Sequence, residues 1–379
     1  MPKTKVLYIL PWLRTGGSER YVANLCRNLD RERFETLVLY RGEWGPIGEE
    51  LKAAGIRTVH NPMKVYRPDQ LLGFYRLLRR EGVDIVHSLN YRPNFTDALL
   101  TKWAGRKFVS SRRNLRFWKG SDRLHWGERL RNKNTDLVIA NAERLRSSAI
   151  EFEMLPADKV LVIYNGVPLQ QADAAKASEG WKEVRTELDI PLGAVVIGNM
   201  ANLRPTKGQG YLLQAFQAVL RSSTAPVYLV ITGQGPEEES LRSAIKDLGV
   251  EGRAFIYKTS RDRFEVIRSY DIFVLSSLQE GFSNALVEAM ALGLPCVATD
   301  VGGNAEAVQH NITGLIVPPK EPGPLAQALL ALVDDPERRR IMGQTGEVRA
   351  HQEFDLERMV REHVAAYDRL VPEKPQDGP

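Results

Sequence analysis

The most informative stretch of the chain is 271–306, which reads DIFVLSSLQEGFSNALVEAMALGLPCVATDVGGNAE. Its apolar run at 272–275 predicts a buried strand, and the run at 296–298 predicts a second one. Between them, residues 285–292 have the composition of a short helix. The stretch therefore predicts a strand–helix–strand unit. Its polar, glycine-bearing loops lie at the strand ends, where open α/β sheets bind ligands.

The helix of this unit has signals at both ends. Ser283 or Asn284 can cap its first turn, and Gly293 and Pro295 stop it. The positive end of the helix dipole then faces the loop that follows the first strand. An anionic ligand in that loop would meet backbone N–H groups.

Two carboxylates frame the same loop. Glu280 follows the first strand, and Glu288 lies eight residues later, about one turn into the helix. Beside a bound anion, carboxylates can accept hydrogen bonds from sugar hydroxyls, as an acidic residue does for a ribose. Two glutamates alone are more often a solvated pair beside an ordinary turn, so the surrounding residues decide their meaning.

Those surrounding residues resemble a known signature. The run 280–291, EGFSNALVEAMA, is followed by the run 293–295, GLP, and by Gly302, Gly303 and Glu306. This pattern is similar to the Glu-x7-Glu motif of the retaining family 4 glycosyltransferases. The resemblance, which extends over most of the chain, implies the GT-B fold. That fold is an α/β architecture of two Rossmann-like domains facing each other across a cleft, with a C-terminal helix crossing back to the first domain.

The resemblance also implies where a nucleotide-sugar donor binds. Glu280 would contact hydroxyls of the donor sugar, and Glu288 would contact the ribose hydroxyls. The other residues implied on the donor side are Gly281, Phe282, Ser283, Asn284, Ala285, Leu286, Gly16, Gly17 and Tyr257. Tyr257 precedes the loop that lies beside the nucleotide base in relatives.

A second loop supplies positive charge. Arg204 and Lys207 occur in the run NLRPTKG, after a strand predicted at 194–198. An isolated Arg-x-x-Lys is more often a surface pair, but 76 residues before Glu280 it resembles the family's donor-phosphate pair. The sequence lacks the Asp-x-Asp that metal-dependent transferases commonly use. We therefore expect the cations and a helix start to stabilise the departing diphosphate, with no metal and no other cofactor.

The first half of the chain begins with a strand at 5–10 and a turn containing Gly16 and Gly17. Paired glycines let a backbone approach a ligand closely, although they are as often a plain tight turn. With Glu19, the turn resembles the family's N-terminal Gly-Gly-x-Glu loop, which lies near the acceptor and the donor phosphates. The spacing is not the dinucleotide fingerprint, and this disfavours a dehydrogenase.

The predicted acceptor side departs from the family pattern. Many relatives carry a histidine where this chain reads SSRRN over 110–114. Arg112 or Arg113 could bind phosphate there, because a guanidinium matches phosphate oxygens in a bidentate manner. Asn114 is the neighbouring candidate. His87, at the end of a predicted strand, is a further one, although a single histidine in that position is more often structural.

The length of 379 residues suits two domains with separate cores, and the composition is that of a globular protein. The boundaries that we predict are a first domain at 1–168, a linker at 169–185, a second domain at 186–352, and a crossover helix with a tail at 353–379. The two cysteines, Cys26 and Cys296, are far apart and predict no disulfide. No signal peptide or membrane-spanning run is apparent, so we expect a cytoplasmic protein.

The net charge of +5 conceals an asymmetry. Residues 1–165 hold 30 Lys and Arg against 18 Asp and Glu, a balance of +12, and the remainder holds 22 against 29, a balance of −7. A basic half predicts an anionic partner, and because no nucleic-acid-binding motif is present, a membrane surface or a phosphorylated acceptor is favoured over nucleic acid. In 102–133, eleven Lys and Arg alternate with aromatic residues, which suits an anionic membrane surface at the inner face of the cell membrane. An ordinary solvated face is the equal alternative.

The hypothesis that results is a retaining, metal-independent hexosyltransferase. It would move a sugar from a UDP-sugar or GDP-mannose to a saccharide or lipid-linked acceptor, in cell-surface polysaccharide or lipid-linked glycan synthesis. One alternative is a sugar-nucleotide epimerase of the same fold, which would turn over donor without an acceptor. Another is a catalytically silent sugar-nucleotide-binding subunit, which the intact set of Arg204, Lys207, Glu280 and Glu288 disfavours.

Overall fold

The chain folds into two compact α/β units in a computed structural model that describes residues 3–62, 67–89, 95–114 and 126–372. The first unit runs to Gly166 and resumes at Leu356, and the second is Val167–Asp355. Asn90, Tyr91 and Arg92 of the polar loop after the fourth strand, and the predicted tail from Lys374, lie outside the described residues.

The described part of the first unit contains a seven-stranded parallel sheet with the order β3-β2-β1-β4-β5-β6-β7. Its strands are β1 (Thr4–Leu10), β2 (Phe34–Tyr40), β3 (Arg57–His60), β4 (Ile85–Ser88), β5 (Lys107–Arg112), β6 (Leu137–Ala140) and β7 (Val160–Val162). Its helices up to Gly166 are α1 (Gly17–Asn28), α2 (Pro46–Ala53), α3 (Pro68–Arg80), α4 (Phe95–Trp103), α5 (Trp126–Lys133) and α6 (Glu143–Glu153). The strand order reverses between β1 and β4, the kind of switch point at which open α/β sheets bind ligands.

The second unit contains a six-stranded parallel sheet with the order β10-β9-β8-β11-β12-β13. Its strands are β8 (Val195–Met200), β9 (Val227–Thr232), β10 (Ala254–Tyr257), β11 (Ile272–Leu275), β12 (Cys296–Thr299) and β13 (Gly314–Val317). Its helices are α7 (Leu169–Ala177), α8 (Gly180–Glu187), α9 (Gln209–Ser222), α10 (Glu238–Asp247), α11 (Arg263–Arg268), α12 (Asn284–Ala291), α13 (Asn304–Ala307), α14 (Pro322–Val333) and α15 (Pro336–Glu353). Here the order reverses between β8 and β11.

Burial on both faces explains the apolar runs from which these strands were predicted. All four residues of β11, Ile272–Leu275, are buried, and so are all four of β12. Helices cover both faces of a parallel sheet, so its strands need no polar alternation. The same logic holds in the first unit, where separate apolar clusters pack on the two faces of the sheet.

The last helix, α16 (Leu356–Leu370), packs in the first unit against α1. Its apolar stripe includes Met359, Val360 and Tyr367, which join the core that also contains Val6 and Tyr8 of β1. The chain thus returns to its first unit, and the predicted crossover helix and α/β fold class are confirmed.

Residues 169–185, expected to be a linker, are largely helical and belong to the second unit. They form α7 and most of α8, and Ala172 and Val184 are buried in packing that involves α11. Alanine has the highest helix propensity and a small side chain that permits close packing. The alanine-rich composition that suggested a linker therefore favours a packed helix.

Candidate functional site

The central feature of the second unit is an ion pair at the switch point of its sheet. Lys207 Nζ lies 2.5 Å from Glu280 Oε1, and Ser277 Oγ donates to the same oxygen at 2.7 Å. Lys207 follows β8 and Glu280 follows β11, the two neighbouring strands between which the strand order reverses. The two residues that the sequence assigned to diphosphate and sugar therefore lie together at a typical ligand-binding edge.

Backbone contacts hold the two loops that carry this pair. Leu278 N donates to Thr206 O at 2.8 Å, and Ser276 Oγ donates to Lys207 O at 3.0 Å. Gly208 has a φ of 64°, and a Cβ atom there would overlap the Ser276 carbonyl. A glycine is required at this close approach, so the backbone itself brings the ammonium to the carboxylate.

The pair is shielded but still reachable. The exposed fraction of the side chain is 22% for Lys207 and 9% for Glu280. Arg204 precedes the short 3-10 turn Pro205–Lys207 and is exposed. A ligand at this edge can thus contact the exposed guanidinium of Arg204 and the ammonium of Lys207, which is already paired with Glu280.

The second predicted carboxylate, Glu288, is in an ion pair that the sequence analysis missed. Its side chain is buried in α12 and forms a salt bridge with Arg263 at the start of α11. Asp262 caps α11 by accepting from Phe264 N at 2.8 Å, which fixes where Arg263 begins the helix. The one available signal was an arginine following a cap residue in the loop after β10.

The start of α12 is organised as predicted. Ser283 Oγ accepts from Leu286 N at 3.4 Å, and the helix begins at Asn284. Five of the predicted donor-side residues in this segment are buried: Gly281, Phe282, Ser283, Ala285 and Leu286. Because Phe282 and Leu286 point into the core, a ligand would meet the backbone of this segment rather than those side chains.

A third loop closes against the Glu280 loop. Gly303 N donates to Gly281 O at 2.6 Å, and Gly302 adopts a φ of 55°. A Cβ atom on Gly302 would overlap the Glu280 carbonyl, so glycine is needed there as well. This contact fixes the backbone from which the Glu280 side chain extends.

Tyr257 lies at the same edge of the sheet but not in contact with the ion pair. It ends β10, three strands from β11, a separation of roughly 14 Å at the usual strand spacing. Its hydroxyl donates to Glu187 Oε2 at 2.5 Å, and Arg261 pairs with the same carboxylate. Burial, reinforced by Glu187, raises the pKa of Tyr257.

In the first unit, Gly16 and Gly17 lie where the loop after β1 ends and α1 begins. Gly16 is extended, and a Cβ atom on it would overlap the carboxylate of the buried Glu19. Burial raises the pKa of the Glu19 carboxyl, and the charge of Arg113 partly offsets this effect. The glycine therefore makes room for an acidic side chain as well as for backbone.

Arg113 is the member of the predicted acceptor-side set that interacts with this turn. Its guanidinium stacks over the Tyr21 ring at 3.8 Å and donates through Nη2 to Asn165 Oδ1 at 2.9 Å. Burial lowers the pKa of Arg113, against the opposing effects of Tyr21 and Glu19.

Arg112 is committed to another partner. Its Nε and Nη2 atoms donate to the two carboxylate oxygens of Glu153, both at 2.8 Å. Arg131 donates to the same carboxylate at 2.6 Å. The bidentate geometry that suggested phosphate binding is thus used inside the protein. Asn114 is exposed.

His87 was predicted as a candidate for the acceptor side, but its side chain is wholly buried within the first unit. Its Nδ1 lies 2.7 Å from the Tyr367 hydroxyl and its Nε2 lies 2.8 Å from Ser111 Oγ. Because side chains alternate along a strand, His87 points like Ile85 onto the sheet face covered by α16, not out of the strand end. Burial lowers the pKa of His87 well below its usual value. His87 therefore has the structural role that the sequence analysis gave as the more frequent one.

The contacts of His87 belong to a larger buried network. The Tyr8 and Tyr367 hydroxyls lie 3.1 Å apart. His363 Nδ1 donates to Met359 O at 2.8 Å, so its Nε2 accepts from the Tyr21 hydroxyl at 2.6 Å. Burial lowers the pKa of His363 to about 4. The sequence signal was a histidine and a tyrosine four residues apart on the apolar stripe of α16.

The basic segment 102–133 is less available than its composition suggests. Several of its cations are paired with carboxylates: Lys102 and Lys107 with Asp136, Arg106 with Asp84, and Arg112 and Arg131 with Glu153. Trp103 and Trp126 are exposed, while 115–125 lie outside the described residues. Membrane binding by this segment stays a prediction.

Three further properties concern the described ranges only. Within them, no group of three or more His, Cys, Asp or Glu side chains is arranged to hold a metal ion. No helix in that part of the chain combines the length and the apolar character needed to cross a bilayer. Cys26 and Cys296 are buried and carry free thiols.

The chain is similar in sequence to glycosyltransferases along most of its length. It is 24% identical over 368 residues to an uncharacterized glycosyltransferase of Methanocaldococcus jannaschii, covering 93% of this chain and 94% of that protein. It is 23% identical to the UDP-Gal:alpha-D-GlcNAc-diphosphoundecaprenol alpha-1,3-galactosyltransferase of Escherichia coli, covering 88% and 89%. The crystal structure of Anabaena HepE in complex with UDP-glucose shares the fold, with a TM-score of 0.82 at 21% identity over 96% of this chain and 99% of that one.

Two family models account for most of the chain. The model of Glycosyltransferase Family 4 matches residues 15–171, and the model of Glycosyl transferases group 1 matches residues 182–349. The first match covers most of the first unit before α16, and the second covers most of the second unit and ends within α15. The chain therefore belongs to the family 4 glycosyltransferases, enzymes that have the GT-B fold.

Proposed function

We propose that this glycosyltransferase moves a sugar from a nucleotide-sugar to a hydroxyl acceptor, with retention of anomeric configuration and without a metal. The observation that carries the proposal is the pairing of Lys207 with Glu280 at the switch point of the second sheet. One group suits a diphosphate and the other suits a sugar hydroxyl, so the two halves of a nucleotide-sugar would meet there.

In this proposal each end of the donor has its own partners. Arg204 and Lys207 bind the diphosphate, assisted by the N-terminal end of α12. Glu280 accepts a hydrogen bond from a hydroxyl of the donor sugar, and Glu288 accepts from the ribose. Tyr257 lies on the base side, roughly 14 Å along the edge, which matches an extended nucleotide-sugar.

The transfer step needs charge stabilisation more than a protein base. The bond from the anomeric carbon to the phosphate oxygen breaks, and its electron pair leaves on the diphosphate. The acceptor oxygen forms the new bond on the same face, and its proton passes to the departing phosphate oxygen. Positive charge develops on the sugar ring and negative charge on the diphosphate, which Arg204 and Lys207 stabilise.

The relatives support a UDP-sugar as the first donor to test. The E. coli protein is named for UDP-Gal, and the Anabaena structure contains UDP-glucose. GDP-mannose remains the second candidate. The E. coli acceptor is a diphosphoundecaprenol-linked sugar, which supports a saccharide or lipid-linked acceptor and a role in cell-surface glycan synthesis. An anionic membrane contact through 102–133 is part of the same proposal.

A donor panel tests this function. The protein is incubated with UDP-, GDP- and ADP-sugars in EDTA, and nucleoside diphosphate release and thermal shift are followed. We expect one nucleotide class to stabilise the protein and to be slowly hydrolysed. Lys207→Ala and Glu280→Ala should each lower the rate, by about 10²- to 10³-fold for loss of a preorganised charge.

The matched control is Lys176→Ala, which removes a lysine paired with Glu347 at 2.6 Å in the same unit. This variant should keep the donor response. Release that stops in EDTA and returns with Mg²⁺ would contradict metal independence. A lack of response to every sugar nucleotide would contradict the proposed function.

A further inference from the structure

Lys207 and Glu280 bind each other, although the proposed function assigns them to different parts of the donor. Their contact is 2.5 Å long, and Ser277 fixes the same carboxylate oxygen at 2.7 Å. The backbone contact at Gly208 forces the two loops together. The fold itself therefore places these two side chains in contact, unlike an ion pair between flexible side chains on the surface.

We propose that this ion pair makes the site discriminate between the complete donor and the nucleoside diphosphate that remains after transfer. Glu280 competes with the diphosphate for Lys207. Only a donor that still carries its sugar gives Glu280 a replacement partner. This inference rests on the proposed function and concerns the regulation of the same site.

When the donor binds, Lys207 and Glu280 each exchange the other for a partner on the donor, and neither is left unpaired. The Lys207 ammonium turns from the carboxylate to phosphate oxygens, and the Glu280 carboxylate accepts a hydrogen bond from a sugar hydroxyl. Both groups remain satisfied in a site where their side chains are largely screened from water. A charged group that keeps a partner avoids the cost of an unpaired buried charge.

The nucleoside diphosphate cannot offer the same exchange. It takes Lys207 but supplies no sugar hydroxyl, so Glu280 loses its cation while an anion lies beside it. Arg263 does not replace that cation, because it is engaged with Glu288. Desolvation and like-charge repulsion both favour return of Lys207 to Glu280, which weakens product binding and promotes product release.

The substitution Glu280→Gln tests this idea, because it keeps the side-chain size and removes the charge. Binding of UDP, inorganic pyrophosphate and UDP-glucose is measured by calorimetry, with GDP and GDP-mannose as a second series. UDP or GDP and pyrophosphate should bind roughly three- to tenfold tighter to the variant, the range expected for losing a competing, partly buried ion pair. The nucleotide-sugar should bind equally or more weakly.

Two controls separate the pair from general charge effects. Glu347→Gln removes a carboxylate from the Lys176 pair, of similar length in the same unit, and should leave diphosphate binding unchanged. In a Lys207→Ala background, Glu280→Gln should give a clearly smaller gain, from relief of charge repulsion alone, because the lysine for which Glu280 competes is gone. Thermal unfolding checks that each variant is folded.

The two hypotheses fail in different ways. If a folded Glu280→Gln variant binds diphosphates no more tightly than the wild type, the discrimination is overturned and the proposed function stands. A gain of undiminished size in the Lys207→Ala background also overturns it. If the wild type and the variants bind no diphosphate and no nucleotide-sugar, the proposed function fails and the inference fails with it.

Discussion

At the switch point of the second sheet, Lys207 and Glu280 face each other as charged groups that a ligand can reach. In the first sheet, the polar side chains near the corresponding point, His87 and Tyr8, are fully buried and bound by Tyr367 of α16. The two sheets share a topology, yet one keeps its polar groups charged and the other keeps them neutral.

What covers the strand accounts for the difference. Glu280 follows β11 and extends from a loop beyond the sheet, whereas His87 lies within β4 and points onto a face that α16 covers. Burial disfavours a charged imidazole, so the side chain is kept neutral and hydrogen-bonded. A polar residue near a strand end indicates a ligand site only when its side chain leaves the sheet.

The largest effect that we expect from this contrast is a loss of stability in acid. His363 has a folded-state pKa of about 4, below its usual value, because burial disfavours the cation. Between about pH 6.5 and 4 the unfolded chain therefore binds the proton first, and the stability present above that range is lost as the pH falls. The loss is about 1.4 kcal/mol per pH unit for each such histidine, or about 3 kcal/mol for His363 across the range.

Urea unfolding at several pH values checks this expectation. His87 adds in the same direction, since its pKa is lowered by burial and by the charges of His363 and Arg113. The variant His363→Gln should be less stable at pH 7 but should show a shallower pH slope, and His310→Gln, an exposed control, should keep the wild-type slope. An unchanged slope in His363→Gln would refute the assignment.

A smaller effect is expected for Tyr367→Phe. The substitution removes the hydroxyl that lies within hydrogen-bonding distance of Tyr8 and His87, leaving both polar groups buried and incompletely bonded. The free energy of unfolding at pH 7 should fall by about 1–3 kcal/mol, while the turnover of the folded enzyme is retained. Chemical denaturation with Tyr75→Phe as a control measures it, and a selective loss of turnover would make this network catalytic after all.

The smallest expected effect concerns Arg263 in the second unit. Arg263→Gln leaves Glu288 without its guanidinium and should misplace the carboxylate proposed for the ribose. The KM for the donor should rise about fivefold, corresponding to about 1 kcal/mol, with a smaller change in kcat and partial rescue by Arg263→Lys. Steady-state kinetics test this against Arg242→Gln, which breaks an exposed pair with Glu238. Equal effects of Arg263→Gln and Arg242→Gln on the KM would show that Arg263 does not contribute to donor binding.

Much of the fold was predictable because its signals are local. The strands β1, β11 and β12 and the helix α12 lie within one residue of the predicted bounds, since apolar runs, a cap and a glycine–proline stop mark them in the sequence. The meeting of Lys207 with Glu280 was also accessible, because both follow neighbouring parallel strands. Signals of this kind need no knowledge of distant side chains.

The missed features depend on contacts between distant residues. Glu153 lies 41 residues from Arg112, and Tyr367 lies 280 residues from His87. Neither partner can be chosen without knowing which helix covers which face of the sheet. The pair of Arg263 with Glu288 likewise depends on how α11 packs beside α12. Local patterns thus predict the strand, helix or loop on which a polar residue lies, and tertiary packing determines which partner its side chain binds.

The position of α16 also constrains how the protein is made. The core of the first unit includes the contact of Tyr367 with Tyr8, two residues separated by 359 positions, so this core closes only after α16 has left the ribosome. The second unit, Val167–Asp355, is continuous and complete before α16 is synthesised. Contacts of such long sequence separation form slowly. The first unit therefore cannot complete its core before the second unit has been synthesised, although N-terminal domains generally fold first, and we expect the nascent first sheet to expose this face until α16 is available.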